Sequence, residues 1–203
     1  MTDYFVLFDL PRLPWIEPQV LKERFLALSA KTHPDRHHAE ISELRFEADN
    51  RFKEINSAYA CLRDPISRIR HFIVLEAGGP PQEIQEIPHS TTSLFMEVGQ
   101  LCAGVDRHLK NQESVTSPLI RVERFAQNMA WVEKTHAMQR KLEEWRNELH
   151  RSVKDLSDGW VQDSAGNRLH ALTGLERYYR LLSYESRWST QLQDRLSRLH
   201  NLV

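Results

Sequence analysis

Apolar residues recur three and four positions apart along almost the whole of this 203-residue chain, and strand-like alternation is absent. That spacing lines one face of a helix and scatters over both faces of a strand. Glycine, which would break such patterns, occurs only 7 times. The fold class this dictates is all-α. What remains to be read is where each helix begins and ends, and proline supplies most of the punctuation.

Tyr4–Leu10 is a short apolar run closed by Pro11 and Pro14. Pro18 can open a helix, because its missing N–H is an orphan donor in a first turn anyway. That helix runs to about Thr32, with Leu21, Phe25, Leu28 and Thr32 on one face. Pro34 drives His33 out of helical geometry, so the helix stops there. A return helix carries Ile41, Leu44, Ala48, Phe52, Ile55, Tyr59 and Leu62. Asp64 and Pro65 end it and restart the chain, as an N-cap followed by a first-turn proline. The fourth helix, 65–77, stops at Gly78-Gly79.

The stretch GGPPQEIQEIPHSTT, 78–92, is the one shift in composition and marks a boundary. The organisation expected is 1–77 as one domain, 78–91 as a linker and 92–203 as a three-helix bundle. Its helices run over about 92–111, from Pro118 to about Leu156, and over about 168–200, the last two separated by the breaker-rich SDGWVQDSAGN. On the first of them Leu94, Val98, Leu101, Val105 and Leu109 form one stripe. Phe95, Met96, Gly99 and Ala103 form a second facet, about 140° from Leu94. A helix with two apolar facets either packs on two neighbours or keeps one for a partner. On the last helix Leu172, Leu175, Tyr179 and Leu182 face one way, and Leu181, Trp188, Leu192 and Leu199 the other.

Composition excludes several classes. A hydrophobic share of 40% and a charged share of 27% belong to a globular chain, not a disordered one. A net charge of −1 gives no bulk field toward nucleic acid or an anionic membrane, and no run reaches the ~20 apolar residues of a bilayer span. Two cysteines, Cys61 and Cys102, lie in apolar helical patterns and form no CxxC pair, so a zinc ribbon or dithiol site is out. No cleaved address is expected, and the reading is cytoplasmic.

KTHPDR, 31–36, is the segment with chemistry. Pro34 fixes the turn, so His33 and Asp35 leave the helix end in defined directions. Arg24 and Lys31 lie within about 20° of each other on the preceding helix, while Lys22 points to the other flank. A basic strip behind a rigid tip suits electrostatic steering into an acidic groove. Other readings stand beside it. His33 and Asp35 can simply cap helix ends in an inert loop. His33, His37, His38 and Asp35 are metal-ligand types, though adjacent histidines seldom reach one ion and no distant ligand set accompanies them. An acid–base use of His33 with Asp35 lacks a nucleophile and a phosphate loop, so the chain reads as no enzyme, and no cofactor is indicated.

DYFVLFDLP, a basic helix, KTHPDR and FKEINSAYACLRDPISR, in that order, resemble a J-domain, the module by which co-chaperones activate DnaK-type ATPases. The resemblance implies that His33, Pro34 and Asp35 contact the chaperone directly and that Arg24 and Lys31 supply the electrostatic part. LRDPISRIRHFIVLEAG, SLFMEVGQL and RYYRLLSYESRWSTQLQDRL extend the resemblance to the HscB family of iron–sulfur co-chaperones, in its short bacterial form without a cysteine-rich N-terminal segment. That implies a bundle that binds the scaffold protein IscU and presents it to the chaperone HscA. Phe95, Met96, Glu97 and Leu181 fall where the family's scaffold-binding residues lie. Gly99, Gln100 and Ala103 depart from the family's larger or acidic residues. The alternative is a J-domain co-chaperone whose bundle serves a different client, with Phe95, Met96 and Leu181 as ordinary core.

Overall fold

A computed structural model describes residues 2–32, 42–81, 89–110, 118–162 and 168–201. Its described residues form seven α-helices and no strand. None of these helices is long and apolar enough to cross a membrane. The chain divides into two compact units, Met1–Gln82 with Arg151–Arg180, and Glu83–His150 with Leu181–Val203. The first cut falls inside the proline- and glycine-rich stretch; the others fall inside the last two helices.

In the first unit α1 (Tyr4–Leu7) is started by Asp3, whose Oδ1 accepts the N–H of Phe5 at 2.9 Å and of Val6 at 3.3 Å. The helix α2 (Pro18–Thr32) opens at Pro18, and the return helix is α3 (Ser42–Arg63). Both α1 and α2 pack on α3, as does α4 (Pro65–Ala77). Ile55, Ala58 and Leu62 of α3 are fully buried. Leu21 of α2 is buried with them, and Phe25 stacks on Tyr59 at 4.0 Å between centroids. Asp64 accepts the Ser67 N–H at 2.8 Å and Gly78 closes α4 in the left-handed region at φ 75°, the start and stop that Asp64-Pro65 and Gly78-Gly79 signal in the sequence.

A buried arginine ties this unit together. Arg68 is 4% exposed. Its Nε donates to the Pro14 carbonyl at 2.9 Å and its Nη1 to the Leu62 carbonyl at 2.8 Å, while the guanidinium lies 5.6 Å from the Trp15 ring centroid. Burial pushes its pKa down to about 10, with Asp64 pulling the other way. Two carbonyls and an aromatic face keep the ion charged where water is excluded. Next to it on α4, the His71 Nε2 accepts the Tyr4 N–H at 3.2 Å, and burial holds that imidazole below its ordinary pKa.

The helix α6 (Pro118–Gln162) runs about a turn and a half past Leu156, through Asp158 and Gly159. The sequence reading stops it early because those residues are poor helix formers. Burial overrides them: Trp160 meets Phe72 edge-on at 5.0 Å, and Ser157 Oγ accepts the Trp15 N–H at 3.2 Å. Glu17 and Lys154 pair at 3.0 Å on the same unit.

The second unit is a three-helix bundle of α5 (His89–Lys110), the first part of α6 and the last part of α7 (Arg168–His200). One cluster gathers Val98, Cys102, Leu142, Trp188 and Leu192; a second gathers Val105, Val132, Leu196 and Leu199. Trp188 stacks on Trp145 at 5.8 Å and on Tyr184 at 6.0 Å. Gly104 lets α5 and α6 approach, since a Cβ there would lie 2.5 Å from the Trp131 ring. Cys61 and Cys102 are both free thiols, and burial raises the pKa of each.

Three substitutions test this packing. Arg68→Ala strands two buried carbonyls and opens a cavity, so urea melts should show a loss of about 2–4 kcal/mol. Gly104→Ala should cost about 1–3 kcal/mol by overpacking against Trp131, whereas Gly99→Ala, with nothing within 4 Å of the new methyl, should gain about 0.5–1 kcal/mol.

Candidate functional site

The first candidate surface is the outer side of α2. Its inner stripe is committed to α3 through Leu21 and Phe25, which turns Arg24 and Lys31 outward, and both are exposed. Lys31 sits in the last turn, where the helix dipole favours a cation. Arg24 is 3.1 Å from Asp9, itself held at φ 50° beyond the end of α1. Both partners of that pair are solvated, so it is weak and screened by salt, and an incoming carboxylate can compete for the arginine. His33, Pro34, Asp35, His37 and His38 lie outside the described residues.

The second candidate surface is on α5. The stripe expected in the core is there: Val98 and Val105 are buried, and Leu94, Leu101 and Leu109 pack against the two clusters. The other facet faces out. Phe95 is 40% exposed and Met96 53%, with Gly99, Gln100 and Ala103 exposed beside them. The edges of this face are defined by neighbours. On one flank the Phe95 ring approaches Trp188 of α7 at 6.0 Å. On the other flank Glu97 accepts a hydrogen bond from Lys141 of α6, and Gly104 sits under Trp131. Between them the helix has an open sector about half its circumference wide, centred near Met96 and Ala103.

Leu181 does not join that face. It is 4% exposed, as are its companions Leu182 and Trp188 to within a few per cent, because α7 buries apolar residues on both of its sides. Leu181 therefore lies beneath the surface of the bundle, not on it. Lys141 is the residue that sequence reading missed. It meets Glu97 across 44 positions of chain, a separation that leaves no local signature. A second apolar stripe also escaped notice: Val122, Phe125 and Met129 on α6, spaced by three and four, are all exposed.

A family model described as the DnaJ domain matches residues 4–71. The N-terminal segment is a DnaJ domain. The match takes in α1 to the first half of α4, the Arg24 and Lys31 surface, and the His33-Pro34-Asp35 triplet. Among curated proteins, the co-chaperone protein HscB homolog of Shewanella oneidensis is 29% identical over 92 residues, 45% of this chain and 49% of that one. The corresponding protein of Bordetella avium is 39% identical over 69 residues, 34% and 41% of the two chains. The aligned part thus spans about half the length of these relatives or less. Among solved structures, HscB from Vibrio cholerae aligns over 95% of this chain and 96% of its own with a TM-score of 0.55 at 21% identity. Human co-chaperone HscB gives 0.63 at 16% identity, over 95% and 81%. Those two likenesses are of fold alone, and they agree with the all-helical architecture. The HscB resemblance read from the sequence is borne out.

The Glu97 carboxyl carries its own prediction. The hydrogen bond from Lys141 holds it below the ordinary glutamate pKa, against the opposing effect of desolvation. NMR titration should find Glu97 ionised below that range, and Lys141→Met should move its midpoint upward; an unmoved midpoint would mean that the pair does not form in solution.

Proposed function

We propose that this chain is a co-chaperone that acts by binding, without bond chemistry of its own. The observation that carries the reading is the DnaJ domain at 4–71 with its basic α2 face turned outward. In this reading His33, Pro34 and Asp35 contact a DnaK- or HscA-type ATPase, and Arg24 and Lys31 steer the encounter. Asp35 would accept from a basic group near the chaperone's interdomain linker and so favour its hydrolysing conformation. That is a population shift, driven by tighter binding to one state of the partner than to the other.

The reading continues with 92–203 as the client-binding part, joined to 1–77 through 78–91. Phe95, Met96 and Glu97 form the contact surface for an IscU-type iron–sulfur scaffold protein, and Leu181 supports it from inside the bundle. The support is that α5 leaves large apolar side chains in water although the bundle core beneath is complete. The protein would work in the cytoplasm. A second reading, a different client, is favoured by one observation, the separate exposed stripe of Val122, Phe125 and Met129.

Purified chain should raise the steady-state ATPase rate of an HscA-type chaperone several-fold, and His33→Gln should abolish the increase while far-UV circular dichroism stays unchanged. Full stimulation by the folded His33→Gln variant would remove the tip from the mechanism.

A further inference from the structure

The outward sector of α5 between Thr92 and Ala103 holds Thr92, Ser93, Phe95, Met96, Gly99, Gln100 and Ala103, none of them charged. Its one ionic side chain is Glu97, at the edge. Glu97 is not free to attract a cation from a partner. Lys141 reaches it from α6, and the Ser93 hydroxyl donates to its other oxygen at 3.3 Å. Both members of the pair keep about half their surface in water, so the pair sits beside the apolar face instead of under it. Between Thr92 and Ala103 this face has Phe95 and Met96 at its apolar centre, is flat along Gly99 and Ala103, and carries no charge besides the Glu97 of the pair; Arg107, whose Nε donates to the Ala103 carbonyl at 3.3 Å, bounds it at the C-terminal end.

We propose that Lys141 is a specificity-determining residue of this face: by occupying Glu97 it makes the surface neutral, so the partner is selected through an apolar, uncharged patch. This rests on the reading of α5 as the scaffold-binding surface and deepens it. The charge argument is one of complementarity. A cationic patch on the partner gains little from a carboxylate already satisfied, and an anionic one is offered Lys141 only at the rim. An uncharged apolar patch loses nothing on contact and removes Phe95 and Met96 from water. Gly99 fits the same picture. It sits mid-helix, where glycine is unfavourable, and among the described residues no atom outside its own helix backbone lies within 4 Å of where its Cβ would be. Nothing in the fold requires it, in contrast to Gly104 under Trp131.

Calorimetric titration with a purified IscU-type scaffold tests this, using the full chain at 50 and 500 mM NaCl. The affinity of the wild type should change by less than about threefold between the two. Lys141→Met should weaken binding by about three- to tenfold at both salt concentrations, because a bare carboxylate then borders the patch and loses water on contact with an uncharged partner. Lys141→Met/Glu97→Gln should return the affinity to wild type, with all melting temperatures close together. Gly99→Leu should keep its stability and lose at least about tenfold in affinity. Wild-type binding that falls tenfold or more with salt, or a Lys141→Met variant that binds normally, overturns the proposal even when Phe95→Ala has weakened binding. A wild type that does not bind, or a Phe95→Ala variant that binds unchanged, overturns the reading of α5 itself and this inference with it.

Discussion

The bundle depends on where Trp188 is placed. Its ring stacks between Trp145 and Tyr184 and meets Val98, Cys102, Leu142 and Leu192, so α5, α6 and α7 all close on it. Aromatic stacking of this kind adds about 0.5–1.5 kcal/mol per pair to the burial itself. More important is the direction it imposes. Once Val98 and Cys102 face Trp188, the rotation of α5 about its axis is set. Phe95 is then left at the rim of the cluster, and Met96, Gly99 and Ala103 face water. The exposed facet is a consequence of core packing, not of a loose helix.

The DnaJ domain is organised by a different constraint, the polar groups that its tight turns bury. Pro14 and Leu62 present carbonyls to a space closed to water, and Arg68 satisfies both while resting on Trp15. A buried cation held by carbonyls is costly to disturb, which makes the α3–α4 corner rigid. Rigidity there matters because α2 is registered on α3 through Leu21 and the Phe25–Tyr59 stack. The basic face of α2 inherits its direction from that register.

Much of this was legible in the chain itself, for identifiable reasons. Pro18, Asp64-Pro65 and Gly78 act locally, so the start of α2 and both limits of α4 followed from them. The two facets of α5 followed from helical periodicity, though only tertiary packing decides which facet is buried. The α6 extension was not legible, because Trp160 earns its helix from Phe72, far away in sequence. The burial of Leu181 was not legible for a related reason: on α7 both apolar sides are covered, and no periodicity distinguishes a covered side from an open one. The Glu97–Lys141 pair and the buried state of Arg68 depend on contacts between distant segments, which one sequence does not announce.

The account comes down to the outward facet of α5 being the client surface. Chemical-shift mapping of the isotopically labelled chain with unlabelled IscU-type scaffold tests it most directly. The account predicts that shifts concentrate on Phe95, Met96, Gly99, Gln100 and Ala103. Shifts confined to the α6 stripe of Val122, Phe125 and Met129, with α5 unperturbed, would contradict it.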